Sequence, residues 1–328
     1  MDRTTNLFQH IQERPMKAAV VTSFDRPPIY TEIGEPVPEL PGEMLVEVLA
    51  AGLHQLTRGR AAGAHYSSTG SPPLVPGVDG VGRGTDNRLR YFVQAPDQHG
   101  TMAERTVIDP RRSIELPGDC DPVAIAAAMN PAMASWLALR CRVPLPTGAK
   151  VLVLGATGSS GTMAVQVARH LGASQVIAAG RDEHKLARLP ALGATAVVPL
   201  GDERLAAQAA DVDIVLDFVW GDSAVGVMER LLRQRSDRTA PLTWVHVGSM
   251  GGEAAAIPGA LLRAANLQIV GSGHGSVPER AILAELPALV QAIARGTFRI
   301  DAAATPLSAV EQAWNRPAPG GARVVFTP

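Results

Sequence analysis

The pattern of hydrophobic and polar positions divides the chain into a β-rich first part and a second part in which strands alternate with helices. In the first part, the apolar segment 17–22 and the partly alternating segment 44–50 predict β-strands. Proline and glycine recur between such segments, for example throughout 72–77. This punctuation favours a compact, twisted antiparallel domain of barrel-like form over a helical domain.

The pattern changes at residue 121, where a long apolar helix is predicted. Asp121 and Pro122 suit the N-cap and the first helical position, and apolar residues continue to about Leu139. Beyond Gly148, the fully apolar segment 151–154 begins a series of predicted strands and helices. Further strands are expected at 175–179, 196–199, 213–216, 243–247 and 268–270, and helices at 161–171 and 183–192. Such alternation is typical of parallel βαβ units with helices on both faces of the sheet.

The two ends of the chain complete this organisation. A helix is predicted from 278 to about 295, and an apolar strand at 323–326 closes the chain. Residues 1–15 are polar and mixed in charge, and they lack the apolar stretch of a signal peptide. We interpret them as a short extension, flexible or helical, before the first strand.

The bulk properties limit the class of protein. A chain of 328 residues suggests about two domains, and 46% hydrophobic residues with a net charge of −1 give no electrostatic reason to expect nucleic acid or a membrane as partner. No apolar run reaches the ~18–20 residues of a transmembrane helix. The two cysteines, Cys120 and Cys141, cannot form a four-cysteine zinc site and argue against a disulfide framework. A cytoplasmic protein is therefore expected.

The most informative stretch is the glycine-rich segment 155–161, which follows an apolar strand and opens an amphipathic helix. Glycines permit the sharp turn and the close approach of a phosphate, while the helix N-terminus offers N–H groups and a partial positive charge. The glycine pattern alone is weak evidence, but its strand–turn–helix context indicates a dinucleotide-binding loop. The alternative is a structural turn without a ligand. The candidate cofactor-binding residues of this loop are Gly155, Thr157, Gly158, Ser159, Ser160 and Gly161.

The end of the next predicted strand indicates NADP rather than NAD. An NAD-preferring site usually has an acidic residue here, which binds the ribose 2′-hydroxyl and repels a 2′-phosphate. Gly180 stands at that position, Arg181 can pair with a phosphate through two charge-assisted hydrogen bonds, and Lys185 adds a positive charge. The alternative is a solvated helix start, which Asp182 and Glu183 would also suit.

With these residues in place, the chain resembles the medium-chain dehydrogenase/reductase superfamily over nearly all of residues 16–328. In the first part, residues 16–20 resemble the family's first strand, 50–58 its first active-site loop and 76–82 its Pro-Gly-x-Glu/Asp-x-x-Gly element. In the second part, residues 155–161 resemble the quinone oxidoreductase version of the cofactor loop and 213–219 the strand that borders the cofactor cleft. Residues 245–249 and 271–273 resemble two later turns.

The resemblance implies an α/β fold in which a doubly wound Rossmann sheet is inserted in a GroES-like, mostly β catalytic domain. The catalytic domain would comprise 1–121 and 277–328, and the NADP-binding domain 122–276. The resemblance also implies an interdomain cleft and commonly a homodimer. It adds the following cofactor-binding candidates: Asp217, Phe218, Val219, Gly248, Ser249, Gly273 and His274, the last of which lines the nicotinamide pocket or caps a turn.

The chain departs from the zinc-containing members of the superfamily. Those members place a cysteine in the first loop, where this chain has His54, and His-Glu after Pro-Gly, where it has Val78 and Asp79. Asn130 lies near the position of their third ligand. Two possible ligands do not make a catalytic zinc site, so no metal is expected.

These features together predict an NADPH-dependent reductase of a quinone, an enone or another small carbonyl compound. Such acceptors take a hydride and then a proton from solvent, so no strong general acid is required. The substrate-cleft and catalytic candidates are His54, Gln55, Arg58, Tyr66, Asn130 and Trp136. Tyr66 and Arg58 have donors for a carbonyl oxygen that gains negative charge. The alternatives are an exposed loop position for Tyr66 and a core position for Trp136.

Two other functions stay open at this point. A zinc-free alcohol or carbonyl dehydrogenase would use the same cofactor loop with a different acceptor. A non-catalytic NADPH-binding redox sensor would have an intact nucleotide loop but would not require an intact substrate loop.

Overall fold

The computed structural model describes residues 14–65, 67–68, 70–94, 99–273, 275–316 and 318–328. Within these ranges the chain folds into two compact units. The first unit contains the described residues up to Asn130 together with Val290–Pro328, and the second contains Pro131–Leu289.

The described chain forms fifteen strands and nine α-helices. The strands are β1 Pro15–Val20, β2 Ile29–Gly34, β3 Met44–Gly52, β4 Asp79–Gly84, β5 Leu89–Val93, β6 Arg105–Ile108, β7 Ser113–Glu115, β8 Lys150–Leu154, β9 Gln175–Gly180, β10 Ala196–Pro199, β11 Ile214–Asp217, β12 Leu242–His246, β13 Leu267–Gly271, β14 Ala302–Pro306 and β15 Arg323–Thr327. The helices are α1 Gln55–Ala61, α2 Pro122–Leu137, α3 Ser159–His170, α4 Glu183–Leu186, α5 Arg204–Gln208, α6 Gly221–Gln234, α7 Gly259–Ala264, α8 Glu279–Ala294 and α9 Val310–Ala313.

The first unit is built mainly from β-strands. Its larger sheet has the order β14-β15-β3-β4-β5-β7, with β6 paired to β3, and a separate hairpin pairs β1 with β2. All of these pairs are antiparallel except β14 with β15. The strand β15 pairs with β3, so segments distant in the sequence complete one sheet. Alternating apolar residues from these strands form the core, including Val46, Val48, Phe92 and Phe326.

The second unit is a doubly wound sheet. Its six strands are all parallel and follow the order β10-β9-β8-β11-β12-β13, which is the Rossmann order 3-2-1-4-5-6. Because parallel strands are covered on both faces, residues 151–154 of β8 and residues 214–216 of β11 are apolar and buried. The predicted fold class, a Rossmann sheet combined with a mostly β unit, is confirmed.

The unit boundaries differ from the positions that the sequence indicated. The chain divides at 130/131 and 289/290, inside α2 and α8, rather than at 121/122 and 276/277. Asp121 does cap α2, since its carboxylate accepts the N–H of Val123 at 2.9 Å. A helix-start signal marks where an element begins, whereas the boundary depends on which side chains each helical turn packs against.

Two helical segments also differ from their predictions. The helix expected at 183–192 is α4 followed by a 3₁₀ turn at Leu189–Leu192, because Pro190 has no N–H to continue an α-helix. The amphipathic helix α6 was not anticipated, although seven of its residues are buried.

By length and composition, one helix of the described chain could cross a membrane, contrary to the expectation from the apolar runs. It consists of α2 and the π-helical turn Ala138–Arg142 that continues it, and 61% of its most apolar 18 residues is buried inside the structure. Its last turn contains Arg140 and Arg142. This burial is typical of a core helix in a globular fold.

Candidate functional site

The described cofactor-binding candidates lie where strands of the parallel sheet end. They close or follow the carboxyl ends of β8, β9, β11, β12 and β13, and they are Gly155, Thr157, Gly158, Ser159, Ser160, Gly161, Gly180, Arg181, Lys185, Asp217, Phe218, Val219, Gly248, Ser249 and Gly273. In a doubly wound sheet a dinucleotide binds at this edge, beside the point where the strand order reverses. That reversal lies between β8 and β11. His274 lies outside the described residues.

The loop between β8 and α3 is anchored on both sides. The N–H groups of Gly155 and Ala156 both donate to the carbonyl oxygen of Ala179, each at 2.9 Å. Gly155 has a φ of +84°, which favours glycine. A Cβ added to Gly155 would lie 3.3 Å from Phe218 Cβ and from Val219 Cγ2. The loop is therefore held between the end of β9 and the segment that follows β11.

Two glycines of this loop are explained differently. A Cβ on Gly161 would lie 2.1 Å from the carbonyl oxygen of Gly155, so packing of α3 against the loop requires glycine there. Gly158 has a φ of −81°, and a Cβ on it would meet only the oxygen of Gly155, at an ordinary 3.5 Å. Neither conformation nor packing requires glycine at 158. The missing side chain leaves the exposed backbone open to a ligand.

The first turn of α3 presents unused backbone donors beside this opening. The first hydrogen bond of the helix runs from the N–H of Thr162 to the oxygen of Gly158 at 2.8 Å, so the N–H groups of residues 159–161 precede it. Gly158 provides no side chain to cap them. Backbone N–H groups with the positive end of a helix dipole suit an anion, and the geometry fits the pyrophosphate of a dinucleotide.

The end of β9 presents a cation near this loop. Arg181 is exposed and makes no ion pair within the described part of the chain. Lys185 is partly engaged, since its Nζ lies 3.9 Å from Asp182 Oδ2. The carboxylate of Asp182 caps α4 by accepting the N–H of Lys185 at 3.1 Å. Arg181 is therefore the side chain available for a 2′-phosphate.

Asp217, a predicted cofactor residue, has its carboxylate directed into the protein. Oδ1 accepts the N–H groups of Val219 and Trp220 at 2.8 and 2.9 Å, and Oδ2 accepts the indole N–H of Trp244 at 2.8 Å. Burial raises the pKa of Asp217, although these hydrogen bonds oppose the shift. The side chain thus shapes the loop after β11, and it positions Phe218 and Val219 rather than contacting a ligand itself.

Trp220, which follows β11 at the same edge of the sheet, has a conformation that the sequence pattern does not indicate. It has φ +54° and ψ −167°, a conformation strained for any residue with a side chain. The N–H of Trp220 donates to the carboxylate of Asp217, and the centroids of the Trp220 and His246 rings are 4.3 Å apart. The following Gly221 packs so closely that a Cβ on it would lie 2.9 Å from the oxygen of Gly251. Backbone strain of this kind has no signature in a single sequence.

In the first unit, His54 lies at the centre of a buried hydrogen-bond network. It is the N-cap of α1, and its Nδ1 accepts the N–H of Thr57 at 3.3 Å. The ring proton is therefore on Nε2, which donates to Asp79 Oδ1 at 2.9 Å. The other oxygen of Asp79 accepts the hydroxyl of Tyr91 at 2.7 Å. His54 is only 4% exposed, so it positions α1 rather than reaching a substrate directly.

The other candidates around α1 have different environments. Gln55 is exposed at the first position of the helix. Arg58 donates from Nε and Nη2 to the carbonyl oxygen of Trp314 at 3.0 and 2.7 Å, and burial lowers its pKa. Asn130 is half-buried in α2, and Tyr66 lies outside the described residues. Gln55 is therefore the candidate with the most accessible side chain in this loop.

Trp136 lies in the interior of the second unit. It is 4% exposed, and its indole N–H donates to Glu285 Oε2 at 2.8 Å. The same carboxylate accepts Arg140, and the Trp136 ring stacks on His170. These contacts join α2 to α8 and favour a core position over a substrate contact.

Comparison with known proteins places this geometry in a family. Residues 161–295 match the sequence family described as zinc-binding dehydrogenase. The probable NADPH-dependent quinone reductase tdiC of Emericella nidulans is 34% identical over 361 aligned positions, which cover 95% of this chain and 100% of that protein. The chain belongs to the medium-chain dehydrogenase/reductase superfamily, in its quinone oxidoreductase-like branch.

Solved structures and a further relative agree with this membership. The quinone oxidoreductase of Thermus thermophilus, whose structure was also determined with NADPH, superposes with a TM-score of 0.80 at 29% identity, covering 95% of this chain and 100% of that one. The NADPH-dependent alkenal/one oxidoreductase of Arabidopsis thaliana is 27% identical over 59% of this chain and 54% of that protein.

The first loop of this superfamily member does not fit a catalytic zinc ion, despite the family description. Both ring nitrogens of His54 are engaged, one by Thr57 and one by Asp79. Among the residues that the structure describes, no three His, Cys, Asp or Glu side chains are grouped to hold a metal ion.

Arg323 is a second feature that the sequence did not reveal. It is 8% exposed, and its Nε and Nη2 have no hydrogen-bond partner in the described part of the chain. Burial lowers its pKa to about 10, with attraction from Asp79 opposing the shift. In the sequence it is an ordinary polar residue at the start of an apolar strand, and only the pairing of β15 with β3 brings it near Asp79.

Substitution of Gly158 and of Gly161 by alanine distinguishes the two reasons for glycine in this loop. We expect Gly158→Ala to weaken NADPH binding about tenfold or more, because a methyl group would block the approach to the backbone, with little change in thermal stability. We expect Gly161→Ala to lower the free energy of unfolding by about 1–3 kcal/mol, because its methyl group would displace the Gly155 carbonyl. NADPH fluorescence titration and thermal unfolding measure both. Equal effects of the two substitutions on stability would contradict this explanation.

His54 should make the stability of the protein depend on pH. Burial lowers its pKa below the ordinary 6.5 more than Asp79 raises it, so the folded state takes up this proton less readily than the unfolded state. The contribution of neutral His54 to the free energy of unfolding is fully present above about pH 6.5, and it is lost as the pH falls towards the folded-state pKa. The unfolding temperature measured from pH 8 to pH 5 should fall less steeply for His54→Asn, which retains a capping side chain. Substitution of the exposed His184 by Asn is the control, and equal slopes for all three proteins would refute the assignment.

Proposed function

We propose that this chain is an NADPH-dependent reductase that transfers a hydride to a quinone, an enone or another small carbonyl acceptor. One observation carries the cofactor assignment: the protein's own packing does not require glycine at 158, yet the backbone beside it presents free N–H groups at a helix N-terminus. The exposed cation of Arg181 at the end of β9 supports NADP over NAD. The activities named for the fungal, bacterial and plant relatives support the reaction class.

The residues of the second unit would bind and orient the cofactor. The N–H groups at the start of α3 would hold the pyrophosphate, and Arg181 would pair with the 2′-phosphate. When bound, NADPH would supply the hydride that the acceptor takes up. Asp217 would act indirectly, since its three hydrogen bonds fix the segment Phe218–Val219 that abuts the glycine loop.

The environment of the first loop favours acceptors that need little acid catalysis. His54 is buried in its neutral form, and Arg58 is engaged by the carbonyl of Trp314. A quinone or an enone becomes anionic after hydride transfer and takes its proton from solvent. Gln55 is exposed and has an amide donor for an acceptor oxygen. The engaged His54 and Arg58 and the exposed Gln55 together support zinc-free reduction of a conjugated acceptor.

We further propose that the protein is a homodimer and is located in the cytoplasm, as expected from the sequence. The edge strand β13 has half-buried apolar residues at Leu267, Ile269 and Val270, and the exposed Leu262 lies on α7, which has no buried residue. Such an edge supports pairing with a second copy. Light scattering that gives a mass of 34.4 kDa in solution would exclude the dimer.

The reductase assignment is tested by turnover of NADPH. We expect the purified protein to oxidise NADPH when 1,4-benzoquinone, 9,10-phenanthrenequinone or an enone is added, and to retain this activity after dialysis against a chelator. The measurement is the loss of nicotinamide absorbance, with metal content determined on the same sample. Turnover with simple aldehydes or alcohols alone would indicate an alcohol or carbonyl dehydrogenase. Tight NADPH binding without turnover of any acceptor would indicate a sensor. If the purified protein contains zinc and loses its activity when the chelator removes it, the zinc-free mechanism is refuted.

Arg181 should determine the preference for the 2′-phosphate. We expect Arg181→Ala to weaken NADPH binding about tenfold to a hundredfold, the effect of losing a charge-assisted hydrogen bond, and to leave NADH binding unchanged. Arg233→Ala is the matched control, because it removes an exposed arginine from the last turn of α6, at the opposite end of the sheet. Equal weakening of NADPH and NADH would mean that Arg181 does not contact the 2′-phosphate.

A further inference from the structure

Residue 180 is glycine because of a specific contact with Thr157. A Cβ added to Gly180 would lie 2.5 Å from Thr157 Cγ2, 2.8 Å from its Oγ1 and 3.2 Å from its Cβ. Contacts below 3 Å force a displacement, so no side chain can begin at residue 180 while Thr157 keeps its position. The room that glycine leaves at the end of β9 is therefore already filled by the threonine.

Rotation of the threonine does not remove this obstruction. Threonine carries two heavy atoms on Cβ, and they occupy two of the three staggered positions. Both of these atoms now face Gly180, so any other staggered rotamer of Thr157 leaves at least one of them on that side. The Thr157 Cβ itself does not move with the rotation.

Backbone bonds on both sides of Thr157 oppose a retreat of the loop. Gly155 and Ala156 donate to the oxygen of Ala179, and Gly158 donates to the oxygen of Gly155 at 3.1 Å. The hydroxyl of Thr162 also donates to the oxygen of Ala156 at 2.9 Å, which ties the loop to α3. A shift of Thr157 would disturb several of these bonds together.

The contact has a consequence for cofactor selection. An NAD-preferring site needs an acidic side chain at the end of the second strand, where it binds the ribose 2′-hydroxyl and repels a 2′-phosphate. We propose that Thr157 is a specificity-determining residue, which excludes that acid by occupying the space above Gly180. Selection for NADP then has two components, exclusion of the acid by Thr157 and attraction of the phosphate by Arg181. This inference rests on the proposed NADPH-dependent function.

The steric component predicts that the two positions must change together. We expect Gly180→Asp alone to weaken binding of both NADPH and NADH, because the new side chain displaces the loop. In the double variant Thr157→Ala with Gly180→Asp, we expect NADH to bind at least about tenfold more tightly than in Gly180→Asp alone, and the preference to move from NADPH to NADH. Thr157→Ala alone should keep the preference for NADPH. Dissociation constants from nicotinamide fluorescence measure all four proteins.

Thr157→Val is the matched control because valine keeps two heavy atoms at the same positions. The double variant Thr157→Val with Gly180→Asp should behave like Gly180→Asp alone. If instead it gains NADH affinity as the alanine variant does, the hydroxyl group and not the volume of Thr157 is responsible, and the exclusion is refuted.

If Gly180→Asp fails to fold, the unfolding temperature of Gly180→Ala tests the same contact with Thr157. Gly180→Ala adds only the Cβ, so it should lower the unfolding temperature by several degrees in the unaltered protein and in the Thr157→Val background. In the Thr157→Ala background the decrease should be smaller. Equal decreases in the three backgrounds would overturn the proposed contact.

The remaining outcomes separate this inference from the proposed function. If Gly180→Asp alone gains NADH affinity while the unaltered protein prefers NADPH, the role of Thr157 is wrong and the reductase assignment stands. If the unaltered protein binds neither nucleotide, the proposed function fails and the specificity role of Thr157 fails with it.

Discussion

The close approach between the first turn of α3 and the loop after β8 is the constraint on which the cofactor edge depends. Gly161 allows the helix to lie against the carbonyl of Gly155, which a Cβ at 2.1 Å would prevent. Ala179 then accepts two N–H groups from the loop, and the donors at the start of the helix stay free. Packing within the protein thus leaves backbone donors at a helix N-terminus, an arrangement suited to an anion, because the contacts that order the loop do not use them.

The loops after the other strands are ordered by side chains that face inward. Asp217 folds the segment after β11 around its carboxylate, and this arrangement holds Trp220 in a conformation that it would not adopt alone. A buried carboxylate with three donors stabilises a fixed backbone, since leaving any of its oxygens without a partner would be unfavourable. Asp217, a residue type often assigned to ligand binding, therefore orders the backbone of the loop after β11.

A comparable arrangement occurs in the first unit. His54, Asp79 and Tyr91 satisfy one another in a buried chain of hydrogen bonds that ends at the N-terminus of α1. The family described as zinc-binding dehydrogenase matches residues 161–295, a range that contains none of these three side chains, and their polar atoms are engaged by one another. The network orders the N-terminus of α1, the helix that contains Gln55 and Arg58. The neutral form of His54 is favoured because burial lowers the pKa of its ring more than the attraction of Asp79 raises it.

The sequence by itself determined the elements with strong local signals. The apolar strand, the glycines at 155–161 and the helix that follows are local patterns, and so are the cap at Asp121 and the absence of an acid at 180. These sufficed to predict the Rossmann fold and the strand–turn–helix form of the segment around residues 155–161. Only the tertiary structure decided the unit boundaries inside α2 and α8, the inward orientation of Asp217 and Trp136, the proximity of Arg323 to Asp79, and the contact of Thr157 with Gly180. The physical reason is that each of these depends on which distant segment a side chain meets, and a one-dimensional pattern contains no such distances.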